Sequence, residues 1–412
     1  MKIWIINHYA IPPSMGGLVR HYYFSKYLQQ KGHEVKIFTS SKIHNTEINM
    51  IPDKSPYMEK EVDGIQYTFV RNSNYKGNRL GRIINMLQFP VRVWKTCKKF
   101  GKPDVIYTSS PDLLTAFTAV MLGRKLKVPK VAEIRDLWPE SIVAYNKISR
   151  KNPIIYALSK MEKWIYKNAD RLVFTMAGGK KYLKEKGWAK AVGLQKVVQV
   201  NNGVDIEEFE SFRELYRIAD KDLEEKEIFK VVYTGSIRKA NHLEILIECA
   251  KELKKKESKI KLLIWGEGDY REALMKRCDE LGLDNIVFKG RVEKKYIPYI
   301  VSRADVNLMH GKITGLLCFG ISLNKLFDYL AAGRPIFSDL YTEYDLVAPN
   351  GCGITAKQDT AKEIADGLFS MEKLPGDVLR QYGENAKELA KEFDYKKLAD
   401  KMEQLFLEVC GK

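Results

Sequence analysis

The sequence predicts an α/β protein built from two Rossmann-like parallel-sheet domains facing across a cleft. Three observations predict it. Within the first 40 residues a strand (2–7), a glycine-containing loop, a helix (18–31) and a second strand follow one another. That βαβ order implies a parallel sheet with a right-handed crossover. From residue 230 the order restarts, as Lys230-Val-Val-Tyr-Thr-Gly-Ser-Ile, a helix at 242–254, and Ile260-Lys-Leu-Leu-Ile-Trp-Gly-Glu-Gly. Between the two series, residues 197–229 pass through an Asn-Asn-Gly turn into an acidic, helical connector. The domains are therefore placed at 1–200 and 201–392, with an amphipathic helix at 393–412 expected to cross back onto the first. A chain of 412 residues can give each domain its own core.

Bulk composition narrows the class. No run of 18 apolar residues occurs, so a membrane-spanning helix is not expected. Met1-Lys-Ile-Trp-Ile-Ile-Asn is too short an apolar run for a signal peptide and reads as the first strand. The six cysteines carry no CxxC pairing, which fits reduced thiols in a cytoplasmic protein. None of the six histidines has metal-ligand spacing, so no metal site is expected.

Charge is unevenly spread. Residues 1–200 hold 35 Lys and Arg against 14 Asp and Glu, a net of +21, and the remaining 34 and 38 leave −4. A one-sided basic excess implies an anionic partner for the first half, either nucleic acid or a membrane surface.

Taken in order, strand 2–7 leads into His8-Tyr-Ala-Ile-Pro-Pro-Ser-Met-Gly16-Gly17, where the paired glycines allow close backbone approach by a ligand. The six-residue dinucleotide fingerprint is absent, which disfavours a NAD-dependent enzyme. From Arg71 to Lys99 run Arg71, Lys76, Arg79, Arg82, Arg92, Lys95, Lys98 and Lys99, interleaved with Ile83, Ile84, Met86, Leu87, Phe89, Val91, Val93 and Trp94. Basic residues beside an apolar stripe describe an interfacial helix, kinked near Pro90, that contacts an anionic membrane surface through about 71–99. An ordinary domain helix with a solvated basic face is the plainer alternative. A strand at 128–134 delivers Arg135-Asp-Leu-Trp-Pro-Glu to the edge where open α/β sheets bind ligands. The helix at 153–169 carries Lys160, Lys163 and Lys167 and extends the basic surface.

In the second half, Gly235-Ser-Ile-Arg238-Lys239 follows a strand. Residues 311–339 form a loop, a short helix and a strand, the helix being stopped by Gly333 and Pro335. A helix start offers free N–H groups and the positive dipole end to a phosphate. Lys325 lies on the first turn and Asp328 one turn on, so a cation for phosphate and a carboxylate for ribose hydroxyls are expected to project together.

Lys325-Leu-Phe-Asp-Tyr-Leu-Ala-Ala-Gly-Arg-Pro-Ile resembles the donor-binding signature of the family-4 retaining glycosyltransferases, which have the GT-B fold. Arg-Asp-Leu-Trp-Pro-Glu-Ser is similar to a segment of the branch that builds bacterial O-antigen, capsule and exopolysaccharide. Further matches near residues 16, 203, 235, 266 and 290 carry the resemblance over nearly the whole chain. The family's two glutamates, with seven residues between them, fall here on Gly320 and Asp328, so the usual carboxylate contact to the donor sugar is missing.

The resemblance implies a retaining glycosyltransferase that moves a sugar from a nucleotide-sugar, by family frequency UDP rather than GDP, to a saccharide on a polyprenyl diphosphate. It needs no cofactor, and the enzyme would be peripheral at the inner face of the cell membrane. Lys239, Lys325 and Arg238 are implied to offset the diphosphate charge, with Lys239 favoured over the adjacent Arg238. Asp136 is expected at the acceptor, as contact or base, and Arg135 at acceptor phosphate. Gly16, Gly17, Gly235, Asn324 and Asp328 are assigned to the donor. Asp269 and the Val292 backbone are placed at the nucleotide. A GT-B sugar-nucleotide epimerase would show a carboxylate–histidine constellation that is not evident. A nucleic-acid binder would show exposed aromatics among its basic residues or a known module, and neither is found.

Overall fold

A computed structural model describes all residues except 45, 76, 78, 79, 147 and 359. Lys76 and Arg79 of the basic run thus lie outside the described residues. The chain forms two compact units, Met1–Asn201 with Tyr395–Lys412, and Asn202–Asp394. Among the described residues no helix is long and apolar enough to cross a membrane.

The first unit holds strands β1 (Lys2–Ile6), β2 (Glu34–Ser40), β3 (Tyr57–Val62), β4 (Ile65–Val70), β5 (Val105–Ser109), β6 (Lys130–Ile134), β7 (Arg171–Phe174) and β8 (Val197–Gln199). They form one sheet in the order β3-β4-β2-β1-β5-β6-β7-β8, parallel throughout except for the β3–β4 hairpin. The uninterrupted apolar run of β1 follows from burial on both faces. Ile3 and Ile5 join Phe24 and Leu28 of α1 (Arg20–Gln30) and Leu398, Met402 and Phe406 of the last helix, Tyr395–Cys410. Trp4 and Ile6 join Phe89 and Val93 of α2 (Leu80–Cys97) and Ala119 and Leu122 of α3 (Leu113–Leu126). The last helix is held by a Tyr23–Tyr395 stack at 4.6 Å and by His33 Nε2, 2.7 Å from Glu403.

The second unit orders β9 (Phe229–Thr234), β10 (Ile260–Trp265), β11 (Ile286–Gly290), β12 (Val306–Met309), β13 (Ile336–Ser338) and β14 (Gly353–Thr355) as β11-β10-β9-β12-β13-β14, all parallel. The acidic connector belongs to this unit. Asp220 and Asp222 grip Lys289 of β11 at 2.7 and 2.5 Å, and Asp222 takes Lys261 of β10 at 2.7 Å.

Strand order reverses between β1 and β5 in the first unit and between β9 and β12 in the second. In doubly wound sheets such switch points open a crevice at the carboxyl ends of the strands, where ligands bind.

Candidate active site

In the second unit, β9 ends at its switch point in Gly235 to Lys239. Three successive loops are laced there by backbone bonds: Gly235 N–H to the Trp265 carbonyl (3.0 Å), Ile237 N–H to Glu267 (2.9 Å) and Gly266 N–H to Gly290 (2.8 Å). The approach is so close that a Cβ on Gly266 would lie 1.8 Å from the Gly235 carbonyl oxygen, and one on Gly268 2.1 Å from that of Ile237. Only glycine fits at either position.

Lys325 converges on this loop from the helix Asn324–Ala331, whose first turn no side chain caps. Its ammonium lies 3.9 Å from the centre of the Tyr233 ring, donates to the His310 carbonyl at 3.2 Å, and sits 3.2 Å from where a Gly235 Cβ would be. Burial lowers its pKa against the pull of Asp339, to about 7. His310, just past β12, is fully buried with Nδ1 2.5 Å from Asp339 Oδ2 and Nε2 3.2 Å from the His242 carbonyl oxygen. Arg238 and Lys239 open a short 3₁₀ turn, Lys239 exposed and Arg238 half-buried, and neither forms an ion pair among the described residues.

The structure therefore brings Gly235 and Lys325 together and sets Arg238 and Lys239 on the adjoining turn. Asp328 does not share Lys325's surroundings, contrary to the expected joint projection. Burial raises its carboxyl pKa, and Lys294 is the charge that opposes the rise. Residues three apart start on one face, but Lys325 is drawn toward Tyr233 and the His310 carbonyl. Asn324 is exposed at the helix start, Asp269 is exposed on the loop after β10, and Val292 is half-buried against the apolar core. Gly320 has φ +87°, a left-handed conformation that a glutamate would adopt only under strain.

In the first unit the switch point lies between the loop after β1 and that after β5. His8 Nδ1 is 3.0 Å from Asp112 and Nε2 2.7 Å from Asn85 Oδ1, the ring lying between Tyr9 and Phe89. Gly16 has an extended backbone, its missing Cβ 3.1 Å from Ile11, while Gly17 has nothing within 4 Å. Internal packing thus does not demand glycine at 17. Arg135 and Asp136 follow β6, both partly exposed, and no ion pair joins them among the described residues. Burial raises the Asp136 pKa. Arg135 contributes to a buried set that sequence reading missed. Arg20 Nε donates to Glu133 at 2.8 Å, with Tyr107 and Ser109 also on that carboxylate. Burial pushes Glu133 up, but Arg20 and Arg135 outweigh it and bring it down to about 2. His8 and His310 were also missed. Each lies within two residues of the end of a buried apolar strand, the one available signal.

Helix α2 divides differently from the expected stripe. Phe89 and Val93 turn inward, and Trp94 is half-buried beneath Lys98 at 5.2 Å. The outward stripe is Leu80, Ile83, Ile84, Leu87 and Val91, each more than half exposed. This i, i+3, i+4, i+7 spacing marks one helix face, and it contains neither Phe nor Trp. Pro90 lies inside one continuous helix. Arg92 donates to the Arg71 carbonyl at 2.8 Å, whereas Lys95, Lys98 and Lys99 are exposed. On the helix Pro153–Asn168, Ile154 and Tyr156 are exposed, Tyr166 is buried, and Trp164 packs on Phe117.

Two family models match the chain, "Glycosyltransferase Family 4" over residues 15–208 and "Glycosyl transferases group 1" over 216–389. No curated protein matches it. Among solved structures it is similar to sucrose-phosphate synthase from Thermosynechococcus elongatus, at 18% identity and TM-score 0.74 over 100% of both chains. It is also similar to Anabaena HepE in complex with UDP, at 13% identity and TM-score 0.68 over 99% of this chain and 100% of that one. A Rickettsia africae glycosyltransferase aligns at 15% identity and TM-score 0.68, over 99% and 98%. At such identities these likenesses establish the fold alone.

Proposed function

The chain belongs to the glycosyltransferases of the GT-B fold, two such models matching its two halves, and from that premise we propose a retaining, family-4 enzyme of bacterial surface-polysaccharide assembly. It transfers a sugar from a UDP-sugar to a saccharide carried on a polyprenyl diphosphate. The first unit takes the acceptor and the membrane, and the second takes the donor. One observation carries the donor side: Lys325 and Gly235 converge at the β9/β12 switch point beside the turn bearing Arg238 and Lys239. That HepE is described in complex with UDP and with UDP-glucose supports the choice of nucleotide.

The chemistry suits this residue set. As the bond from the sugar C1 to the diphosphate oxygen breaks, negative charge grows on the leaving nucleotide. Lys325, Lys239 and Arg238 offset it. The acceptor hydroxyl attacks C1 from the face the diphosphate leaves, its proton passing to the departing phosphate oxygen, so configuration is retained. Asp136, partly exposed at the edge of β6 with its pKa raised, orients the acceptor hydroxyl, and Arg135 faces acceptor phosphate. Asp328 holds ribose hydroxyls, with Asn324, Asp269 and the Val292 backbone at the nucleotide.

The exposed apolar stripe of α2, with Lys95, Lys98 and Lys99 on the same helix and its end, supports a peripheral seat on an anionic membrane from the cytoplasmic side. That stripe favours lipid over nucleic acid, for which a basic face without it would serve.

Calorimetry with UDP, GDP and NAD, with and without added divalent metal, tests the reading. Micromolar binding of UDP without metal, lost in Lys239→Ala, is the expected result. Binding of neither nucleoside diphosphate refutes it.

A further inference from the structure

One residue touches both cationic segments of the second unit. The His310 carbonyl accepts from the Lys325 ammonium at 3.2 Å, and its ring Nε2 lies 3.2 Å from the His242 carbonyl oxygen. His242 ends the short turn that Lys239 opens and has φ +59°, a left-handed conformation that a non-glycine residue holds only when its surroundings impose it. The ring is fixed in turn by Asp339 at 2.5 Å and meets Tyr233, the residue under Lys325, edge to face at 6.2 Å. His310 and Asp339 are essentially fully buried, and Asp339 Oδ1 has no hydrogen-bond partner among the described residues. A buried polar pair contributes little to stability relative to apolar residues of the same volume, which leaves positioning as its use here.

We propose that His310 is a positioning residue for the diphosphate of the donor: through Asp339 behind it, it sets the distance between the Lys325 ammonium and the turn bearing Lys239. The proposal rests on the phosphate-binding reading of that site. His310 itself touches no substrate. Its backbone steadies one cation and its ring steadies the segment of the other, so the pair is pre-organised before a nucleoside diphosphate arrives.

Two variants separate the ring's two bonds. The amide of His310→Asn reaches the Nδ1 position and keeps Asp339 but falls short of His242. That of His310→Gln reaches the Nε2 position and keeps His242. Calorimetry measures UDP against UMP, which lacks the β-phosphate, in each folded variant. The expected result is UDP binding about tenfold weaker in His310→Asn with UMP nearly unchanged, and His310→Gln restoring most of the loss. Unaltered UDP affinity in His310→Asn, equal losses for UDP and UMP, or no recovery in His310→Gln would each overturn it. If wild type binds no nucleoside diphosphate, the phosphate reading fails separately. Hydrogen exchange at the amides of residues 241–243 then tests the positioning alone: faster exchange in His310→Asn upholds it and an unchanged rate rejects it. Should His310→Asn not fold, Asp339→Asn is read by the same two measurements with the same outcomes.

Discussion

The ammonium of Lys325 lies 3.9 Å from the centre of the Tyr233 ring, and among the described residues it hydrogen-bonds the His310 carbonyl alone. An ammonium has three donors, so the His310 carbonyl and the ring face leave donors that a phosphate can take. An arriving phosphate would supply the remaining acceptors. Lys325→Met keeps the length of the side chain and removes the charge. It is expected to weaken UDP binding ten- to a hundredfold, roughly 1.4–2.7 kcal/mol, without lowering the thermal midpoint. Unchanged UDP affinity would leave Lys325 a packing residue.

The same burial makes binding pH-dependent. With a folded pKa of about 7 against an ordinary value near 10.4, Lys325 binds fewer protons folded than unfolded between those limits. Its contribution to stability therefore rises with pH across that window. Ligand binding runs the other way, because phosphate favours the charged form. UDP affinity is expected to fall as pH rises above 7, and binding at pH 8 should take up about one proton. Calorimetry in buffers of different ionisation enthalpy reads that number directly. No uptake in wild type, or the same uptake in Lys325→Met, would contradict the assignment.

How much of this was legible beforehand depended on whether the information was local. The two βαβ series were readable because β1 and β9 carry apolar runs ending in glycine loops. Lys325 and Gly235 were readable as separate motifs, and their meeting follows from the β9–β12 pairing that no periodicity encodes. His310 was invisible, since its partners Asp339 and His242 are 29 and 68 residues away. On α2 the stripe misled. Apolar residues cover more than one face, and only packing decided that Phe89 and Val93 turn inward while Ile83 and Leu87 do not.

Gly320 stands where the family resembled has its first glutamate. Its φ of +87° places a side chain there in the left-handed region. Gly320→Glu is expected to destabilise the fold by about 1–2 kcal/mol without raising transfer. Denaturant midpoints and turnover measure both. A variant as stable as wild type and more active would show that the loop accommodates the missing carboxylate.

The outward stripe of α2 offers a test in which folding and membrane contact separate cleanly. Ile83 and Leu87 are exposed, so Ile83→Asn with Leu87→Asn removes little buried area. The double variant is expected to lose most sedimentation with anionic vesicles while keeping wild-type UDP affinity. Neutralising Lys95, Lys98 and Lys99 should reduce the same binding in a salt-dependent way, with about 1 kcal/mol per charge. Arg92 is left intact, because its bond to the Arg71 carbonyl is structural. Vesicle binding that survives both variants would place the membrane surface elsewhere.

Glu162 gives the first unit a pH dependence of its own. Its side chain is fully buried and Oε1 accepts from the Tyr182 hydroxyl at 2.7 Å. Burial, only partly opposed by Lys186, raises its pKa to about 8. The folded state therefore binds more protons than the unfolded between the ordinary carboxyl value near 4.3 and about 8. Unfolding free energy must fall as pH rises through that window, and the loss is complete only above the folded pKa. Glu162→Gln keeps an acceptor for Tyr182 and cannot ionise. It is expected to match wild type near pH 5 and to exceed it at pH 8 by an amount of the order of a few kcal/mol. Urea midpoints of both proteins at the two pH values decide it. A variant destabilised equally at both would mean that the carboxylate is charged and satisfied in the fold.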